Sequence, residues 1–422
     1  MNKIELTIYN IVRHNPGLKR KLRDLYQCIF DILPREKNFF INEPIVKEGF
    51  FWGFHDQTPF SKDNEILLAN KLLIPLRMPN KQDCLEIGFF SGKDYSIWNK
   101  IATTRAWNYH KGCRLQWAGE NKVIFNSYDQ DERLGSTIYI LENKSPKFYK
   151  ELPFPIDSVA YQGLLATSFS YYRLEKMMPG YGYSNLGYDE TEIDTSKTGL
   201  FLNDLSTGYS QLMFSIEELK AFEHSDDMDD AYHFVTHSLF SKDDKYIAFL
   251  HRWYTSHFQK TRLLVANIET RELYSSPTSG MVSHYIWTDN NDIIAFCSID
   301  SIFSHVLFHS PLMKNPTRVG YPDINSDGHQ TPINKNLFIT DTYPDKMRMA
   351  NMYLVDSTKE NSTKLIARVN SPKRFQSPDN FHHWACDLHP RASNDGKLIS
   401  FDSVHTGERS LCVMKLNYPI SF

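Results

Sequence analysis

Four histidines occupy one repeated position in the chain, three residues before the residue that opens a recurring turn motif. They are His237, His284, His329 and His389. Only 16 of the 422 residues are histidine, so four at one position of a repeat is a marked enrichment. Imidazoles that converge in a fold bind a metal or exchange protons near neutral pH. The spacing therefore predicts a metal site or an acid–base cluster, and a purely structural hydrogen-bonding role is the alternative.

Three of these histidines are our candidate metal ligands: His284, His329 and His389. Asp327 and Asp387 lie two residues before the second and third of them, so the sequence also places carboxylates nearby. Imidazole and carboxylate ligands suit Mn, Zn or Fe and do not distinguish among these metals. We therefore predict one divalent metal ion, of unspecified identity.

The histidines belong to a repeat that predicts the fold. Seven copies of a strand, a tight turn and a buried strand begin near residues 60, 117, 159, 240, 287, 332 and 392. The clearest copies are Phe60-Ser61-Lys62-Asp63-Asn64, Phe240-Ser241-Lys242-Asp243-Asp244 and Ala392-Ser393-Asn394-Asp395-Gly396. Asn, Asp and Gly adopt the backbone angles that such turns need. A four-stranded propeller blade takes about 40–45 residues, so the longer intervals between copies are blades with insertions.

We therefore predict an all-β fold, a seven-bladed β-propeller over residues 39–422 with an insertion at 173–232 and a short helical extension at 1–38. A β-sandwich is the alternative, but the regular spacing favours the propeller. The chain nearly ends after a strand at 410–416, so the last blade needs an outer strand from residues near 45–54. Because the first strand of each blade lines the central channel, the four histidines should converge near the axis.

Further polar and aromatic residues could act on a sugar. His233 precedes His237 by four residues, Arg252 can pair with a carboxylate through two hydrogen bonds, and Trp253 can stack on a sugar face. The turn-rich segment 179–183 contains two tyrosines, suited to substrate contact or to proton donation. The candidate substrate-binding residues are His55, Arg105, Trp107, Arg114, Tyr181 and Trp253. Each alone is more often structural, but the set together suits an anionic sugar.

Composition excludes several classes of protein. The 47 Lys and Arg residues against 50 Asp and Glu give a net charge of −3, without the basic excess of a nucleic-acid-binding protein. Charged residues make up 23% of the chain and hydrophobic residues 41%, which excludes wholesale disorder. Six scattered cysteines form no C-x-x-C pair, and free thiols are typical of a reducing cytosol. We expect a cytoplasmic protein that does not bind nucleic acid.

The N-terminal segment 1–38 has apolar residues at helical spacing and carries eight Lys and Arg residues against four acidic ones. A basic amphipathic helix of this kind can lie on an anionic membrane surface. The segment therefore predicts either peripheral contact with the inner membrane or a helix that packs on the propeller.

Several motifs resemble those of known propellers. The segments Asp387-Leu388-His389-Pro390-Arg391 and Asp395-Gly396-Lys397 are similar to TolB-like and oligogalacturonate-lyase-like propellers. Other segments resemble an uncharacterised group of propellers associated with bacterial surface-polysaccharide loci, and they are Gly53-Phe54-His55-Asp56, Thr104-Arg105-Ala106-Trp107-Asn108, residues 179–183, His251-Arg252-Trp253, Ser283-His284-Tyr285 and Asp341-Thr342-Tyr343-Pro344-Asp345. The resemblance covers most of residues 45–416 and implies work on carbohydrate.

The lyases of this kind abstract the proton next to a uronate carboxylate and eliminate the 4-O-linked sugar. That reaction needs a group that neutralises the carboxylate, a base, and an acid for the leaving oxygen. By this resemblance, the carboxylate would be neutralised by Arg252 or by a metal on His284, His329 and His389. The base would be His237 or His233, and the acid would be Tyr183. The Q-x-x-H-x-H ligand run of oligogalacturonate lyases does not occur in this sequence.

We therefore expect lyase-like cleavage of an acidic, uronate-containing glycan linked to a bacterial surface polysaccharide. A non-catalytic glycan-binding or scaffold propeller is the alternative, and a glycosyltransferase or other glycan-modifying enzyme is the third possibility. The chain contains no G-x-S-x-G elbow, no Walker A motif and no G-x-G-x-x-G turn, which excludes the hydrolase and nucleotide-binding folds that carry them.

Overall fold

The computed structural model of the chain describes residues 36–183, 194–255, 258–359, 362–379 and 382–417. The predicted helical extension at 1–38 lies outside the described residues except for its last three. The described residues form seven antiparallel sheets, and the first strands of several consecutive sheets contact one another around a common axis. This arrangement is the seven-bladed β-propeller that the repeat predicts.

Strands β1 (Phe39–Phe40) and β2 (Ile45–Glu48) come first in the chain and join the last two blades. Blade one contains β3 (Phe50–Phe51), β4 (Leu67–Lys71), β5 (Leu85–Ser91) and β6 (Ile97–Thr104). Blade two contains β7 (Gln116–Trp117), β8 (Lys122–Tyr128), β9 (Leu134–Glu142) and β10 (Ser145–Leu152). Blade three contains β11 (Ser158–Val159), β12 (Leu165–Ser168), β13 (Gly199–Asp204) and β14 (Ser210–Ser215).

The remaining four blades follow the same order. Blade four contains β15 (Tyr232–Phe240), β16 (Tyr246–Tyr254), β17 (Gln259–Asn267) and β18 (Leu273–Ser275). Blade five contains β19 (Val282–Trp287), β20 (Ile293–Ile299), β21 (Ile302–His309) and β22 (Lys314–Val319). Blade six contains β23 (Thr331–Pro332), β24 (Leu337–Asp341), β25 (Met349–Asp356) and β26 (Thr363–Asn370), and blade seven contains β27 (Arg391–Ala392), β28 (Leu398–Ser403) and β29 (Ser410–Lys415).

Identical side-chain bonds build the turn in the clearest copies of the repeat. The Ser61 hydroxyl donates to the Asp63 carboxylate at 2.5 Å and accepts from the amide of Ile66 at 2.9 Å. The same serine-to-aspartate bond measures 2.7 Å in Ser241–Asp243 and in Ser393–Asp395. These bonds replace main-chain partners in a tight turn, which explains why the motif recurs.

The second strand of a blade is buried on both faces, since neighbouring blades pack against each side of the sheet. Residues 247–250 of β16 are all fully buried. A strand covered on both faces is apolar at consecutive positions instead of alternating. This packing accounts for the apolar run that follows each turn motif.

The N-terminal strands close the propeller. β2 pairs with β29, with Ile45 opposite Val413, and supplies the outer strand of blade seven. This confirms the prediction for residues 45–54. β1 adds a fifth strand to blade six, and the Glu36 carboxylate beside it accepts a hydrogen bond of 2.7 Å from Arg368. The pairing covers sheet edges that would otherwise be exposed.

The tract 173–232, which we predicted as an insertion, contains two regular strands of blade three, β13 and β14. The extra structure consists of helix α1 (Tyr171–Met177) before β13 and helix α2 (Ile216–Ala221) after β14. Short 3-10 turns occur at Lys93–Tyr95, Asp226–Met228 and Lys373–Phe375. Neither these elements nor any other helix in the described ranges has the length and apolar character that crossing a membrane requires.

Candidate metal centre at the propeller axis

Irregular backbone at the inner strands directs the repeated position toward the axis. The register with the neighbouring strand shifts at His237 in β15 and at His284 in β19. His237 has a positive φ of 51°, and His389, just before β27, has a φ of 43°. A bulge with such a residue points one side chain out of the regular alternation. The same repeat position is therefore presented to the centre in several blades.

The structure brings the imidazoles of His237, His284, His329 and His389 together around one phenylalanine, Phe54. The ring centroids of His284 and His389 each lie 4.1 Å from the centroid of His329. The centroid of Phe54 lies 4.7 Å from that of His237 and 6.1 Å from that of His329. The sequence prediction that these histidines converge is confirmed by this geometry.

Two imidazoles of the centre have their Nδ1 atoms fixed by acceptors. The Asp341 carboxylate lies 2.8 Å from Nδ1 of His329, and the main-chain oxygen of Gln330 lies 2.8 Å from Nδ1 of His55. Because carboxylates and carbonyls only accept here, each Nδ1 carries the proton and each Nε2 keeps its lone pair. The Nε2 atoms of His55 and His237 are buried without a hydrogen-bonding partner among the described residues. Such imidazoles are prepared to bind a metal or accept a proton.

The residues that fit a metal ion best are His329, Asp387 and His389. Their potential ligand atoms all lie within 4.8 Å of one another. We predicted His284 in place of Asp387; its Nδ1 lies 3.2 Å from the Asp327 carboxylate, and its nitrogens do not belong to the group of ligand atoms within 4.8 Å of one another. Two imidazole nitrogens and one carboxylate oxygen form a ligand set that suits Mn, Zn or Fe. The unpartnered Nε2 atoms of His55 and His237 nearby are also consistent with a cation in this centre.

Burial and neighbouring charges raise the pKa of some titratable groups of the centre and lower that of others. Burial, partly opposed by His329, raises the pKa of Asp387 to about 6. Burial alone would lower the pKa of His329, but the Asp341 carboxylate outweighs it and the pKa is raised. Burial holds the pKa values of His237 and His389 well below the ordinary histidine value. At neutral pH these last two imidazoles are therefore uncharged acceptors.

Two tyrosines border the centre. The Tyr343 ring lies 5.8 Å from that of His329, and the residue is 45% exposed. The Tyr181 ring stacks on His110 at 4.5 Å with an interplanar angle of 4°. Desolvation, with the Asp387 carboxylate contributing, raises the pKa of both phenols, so both remain protonated at neutral pH. Within the described part of the chain neither hydroxyl makes a hydrogen bond.

The segment 179–183 holds Tyr181 rigidly. The Glu175 carboxylate accepts hydrogen bonds of 2.9 Å from the amides of Gly180 and Gly182. The Asn108 side-chain amide donates to the main-chain oxygen of Tyr181 at 3.0 Å. Gly180 has a φ of +88°, and a Cβ there would lie 2.6 Å from His383, so only glycine fits this turn.

Arg252 is linked to His284 by a short chain of contacts. Its guanidinium donates to the Tyr254 hydroxyl at 3.1 Å and lies 3.5 Å from the main-chain oxygen of Ser283. The Ser283 hydroxyl donates at 2.6 Å to Asp327, the carboxylate that holds His284. The Nε of Arg252 is buried without a partner among the described residues. The guanidinium thus has a donor available for an anion at this edge of the centre.

A buried layer of ion pairs packs against Phe54. Lys111 Nζ lies 3.1 Å from the Asp157 carboxylate and 5.1 Å from the centroid of the Phe54 ring. Arg114 pairs with Asp56 at 3.0 Å and also bonds to the main-chain oxygen of Asp157. These four charged side chains are at most 3% exposed. Arg114, which we predicted to bind substrate, is therefore a structural residue in this fold.

Three more predicted site residues lie elsewhere. Tyr183 is buried, its hydroxyl accepts from Asn126 at 2.7 Å, and burial raises its pKa well above the ordinary value. Trp107 is buried and donates its indole N–H to a main-chain carbonyl at 2.9 Å. Arg105 is partly exposed and forms an ion pair with Glu132 at 2.5 Å. None of the three borders the histidine cluster, so the structure gives them structural roles.

His233 and Trp253 belong to a separate cluster in blade four. The Nδ1 of His233 lies 2.9 Å from Nε2 of His251, and its Nε2 lies 2.7 Å from the main-chain oxygen of Met228. The Trp253 ring is nearly parallel to that of His233, with an interplanar angle of 13°. A cavity of about 510 Å³ opens beside His233. Because both nitrogens of His233 are bonded, we no longer assign it as a base.

Sequence reasoning gave no role to several residues of the centre. Phe54, Asp341 and Tyr343 lie in segments that resemble known propellers, but those motifs do not indicate their individual roles. Asp341 could have been identified from its position in the repeat. It ends the second strand of blade six, five residues after Asn336 of the turn. Asn126 and Asp402 have the corresponding place in blades two and seven.

We expect the stability of the metal-free protein to fall as the pH is lowered from 7 to 5. Burial holds five imidazole pKa values well below 6.5, those of His55, His110, His237, His251 and His389. Below about pH 6.5 the unfolded chain binds protons that the folded chain does not, so the free energy of unfolding drops by up to about 1.4 kcal/mol per pH unit for each such group.

The raised pKa values of His329 and Asp387 make the folded protein more stable as the pH is lowered, but only these two groups of the centre oppose the five imidazoles. Urea unfolding at pH 7, 6 and 5 measures the effect. A midpoint that stays constant or rises toward pH 5 would contradict the buried, neutral state of the five imidazoles.

Comparison with known proteins supports the fold. No protein-family model and no curated protein sequence matches the chain. An oligogalacturonate lyase from Vibrio parahaemolyticus superimposes with a TM-score of 0.60 at 9% identity, covering 92% of this chain and 99% of that one. An oligogalacturonate lyase in complex with manganese gives a TM-score of 0.60 at 12% identity, with 92% and 99% coverage. At this identity the similarity establishes the shared seven-bladed propeller fold.

Proposed function

We propose that the protein is a metal-dependent lyase that cleaves an acidic, uronate-containing glycan by β-elimination. The observation that carries the proposal is the meeting, at one centre, of a nitrogen–oxygen ligand set, a guanidinium, neutral imidazoles and two phenols. These are the groups that the elimination of a sugar next to a carboxylate requires. The fold shared with oligogalacturonate lyases, one of them in complex with manganese, supports the choice of an acidic oligosaccharide and of Mn²⁺.

The substrate carboxylate would be neutralised at two points. His329, Asp387 and His389 would hold the cation, and Arg252, in blade four, lies beside Ser283 of blade five with its Nε unpartnered among the described residues. A divalent cation held there would polarise the uronate carboxylate and so acidify the proton on the adjacent carbon. Arg252 adds a second positive charge and can bind a carboxylate through two parallel hydrogen bonds.

The proton transfers would involve an imidazole and a phenol. His237 is uncharged and its Nε2 has no partner among the described residues; in the tautomer whose Nδ1–H donates to the Thr236 hydroxyl at 2.9 Å, Nε2 would accept the proton from C5 of the uronate. The electrons of that C–H bond form the C4=C5 double bond, and the C4–O bond to the leaving sugar breaks. The departing oxygen takes a proton from Tyr181 or Tyr343, whose hydroxyls stay protonated at neutral pH. These tyrosines replace Tyr183, which is buried away from the centre.

The test is an assay of the Mn²⁺-loaded protein on oligosaccharides of galacturonate, glucuronate and mannuronate. The readout is the ultraviolet absorbance of the new C4=C5 double bond. His237→Ala should lower kcat by about 100- to 10,000-fold, the usual contribution of a positioned base. His233→Ala is the matched control because that imidazole is buried but lies in another cluster, and its kcat should not change. Cleavage that survives His237→Ala would remove this residue from the reaction.

A non-catalytic glycan-binding protein is the second candidate, and one observation favours it. His55, His237 and His389 are 2–4% exposed, so a substrate reaches them only if the Tyr181 and Tyr343 side of the centre admits the sugar ring. Calorimetric titration with the same oligosaccharides separates the two functions. Binding that depends on Arg252, without any double-bond formation, would establish the binding protein.

We further propose that the glycan belongs to a bacterial surface polysaccharide and that the protein works in the cytoplasm, at the inner membrane. The basic residues in 1–38 support this location through their attraction to anionic lipids. Cell fractionation of the full chain and of a variant lacking residues 1–35 tests it. Equal distribution of the two proteins between the soluble and membrane fractions would contradict the membrane role.

A further inference from the structure

One buried carboxylate contacts both histidines of the candidate metal site. Asp341, 1% exposed, ends strand β24 in blade six. Its Oδ1 accepts hydrogen bonds from the amide of His329 at 2.7 Å and from the Nδ1 of His329 at 2.8 Å. Its Oδ2 accepts from the amide of His389, in blade seven, at 2.9 Å. A single side chain thus ties together the two blades that contribute the imidazoles.

The same position in other blades joins neighbouring blades without touching a potential ligand. Asp402, in the second strand of blade seven, accepts hydrogen bonds of 2.9 Å from the amides of Trp52 and Gly53 in the inner segment of blade one. Asn126, in the second strand of blade two, accepts from the amide of Ile156 at 2.7 Å. The inter-blade bond therefore recurs in blades two, six and seven. Among these three described positions, Asp341 alone combines it with a bond to the ring of a candidate ligand.

We propose that Asp341 is the positioning residue of the metal centre: it selects the Nδ1–H tautomer of His329 and fixes the backbone of His389 across the boundary between blades six and seven. The inference rests on the proposed function, because it presumes that His329, Asp387 and His389 bind the metal. A carboxylate behind a metal-binding imidazole holds the ring in orientation and makes its free nitrogen more basic. Loss of such a partner typically lowers metal affinity 10- to 100-fold.

Asp341→Asn separates the positioning role from the joining of blades. Asparagine keeps the size of the side chain, but it has one accepting oxygen where Asp341 uses two. It therefore cannot accept simultaneously from the ring of His329 and from the amide of His389 in the present geometry. Either the ring of His329 or the amide of His389 therefore loses its acceptor, and the two imidazoles lose their common anchor.

The experiment is calorimetric titration of the purified, metal-free full chain with Mn²⁺, together with thermal unfolding. The variants are Asp341→Asn and the control Asp402→Asn, whose side chain anchors blade one and pairs with Arg391 at 3.1 Å but contacts no candidate ligand. Both variants should unfold at a lower temperature than the wild type. Only Asp341→Asn should bind Mn²⁺ more weakly, by about 10- to 100-fold. If Asp341→Asn does not fold, Asp341→Glu keeps the buried charge but displaces the carboxylate, and the same loss of affinity is expected.

Three outcomes would overturn the inference, and they are distinguishable. If the wild type binds no Mn²⁺, the metal part of the proposed function fails and the inference fails with it. If the wild type binds Mn²⁺ and Asp341→Asn binds it equally well, the metal site stands but the positioning role is wrong. If Asp402→Asn loses the same affinity, the effect comes from blade packing in general.

Discussion

Replacing Asp157 by alanine is expected to lower the free energy of unfolding by about 3–5 kcal/mol, because the change removes one partner of a buried ion pair. Lys111 would be left buried without its carboxylate, and the amide and hydroxyl of Ser238 would lose their acceptor at 2.8 and 2.9 Å. Urea unfolding of Asp157→Ala beside the wild type measures the loss.

Two further variants make that result specific. Glu120→Ala removes an exposed ion pair with Lys62, in which both side chains are 80% exposed, and should cost no more than about 1 kcal/mol. The double variant Lys111→Met with Asp157→Ala removes the uncompensated charge and should recover part of the stability. If Asp157→Ala unfolds at the same urea concentration as the wild type, the buried ion pairs contribute little to stability.

Replacing His329 by alanine is expected to raise the dissociation constant for Mn²⁺ by more than about 100-fold, since loss of a direct ligand exceeds the effect of losing a supporting residue. His329 lies between two other imidazoles, with the ring centroids of His284 and His389 each 4.1 Å from its own. His389→Ala should have a similar effect because it contributes the second nitrogen. Equilibrium dialysis with metal analysis measures both.

His284→Ala distinguishes the ligand set of the structure from the one predicted by the sequence. Its nitrogens lie outside the compact group formed by His329, Asp387 and His389, so the variant should retain Mn²⁺ with a much smaller loss than His329→Ala. Loss of the metal in His284→Ala but not in Asp387→Asn would mean that the three histidines, and not the carboxylate, bind it.

The fold could be predicted from the sequence because the turn motif is chemically specific. The serine and aspartate of each clear copy form the same bonds, and the apolar run that follows has neighbouring blades on both faces. The outer strands carry no such motif, since they are partly exposed and vary from blade to blade. For this reason β13 and β14 could not be separated from the extra structure in the tract 173–232.

Only the part of the site that occupies the repeated position could be predicted from the sequence. The convergence of His237, His284, His329 and His389 follows from one repeated position. The choice of Asp387 over His284 depends on how the bulges and the boundary between blades six and seven orient each side chain. A sequence contains no direct signal for that orientation.

Residue type alone also does not indicate burial. Arg114 and Tyr183 have side chains that suit sugar binding, but each finds a partner distant in sequence inside the fold. For Arg114 the partner is Asp56 at 3.0 Å, and for Tyr183 it is Asn126 at 2.7 Å. Such pairs form between different blades, so only the three-dimensional structure reveals them.

The mass of the products formed from a uronate trisaccharide by the Mn²⁺-loaded protein tests the central claim most directly. β-Elimination adds no water, so the masses of the two products should sum to the mass of the substrate, and one product should contain the C4=C5 double bond. Product masses that sum to the substrate plus one water would show hydrolysis and contradict the proposed reaction. Binding of galacturonate, glucuronate and mannuronate oligosaccharides without any product would show a glycan-binding propeller instead of a lyase.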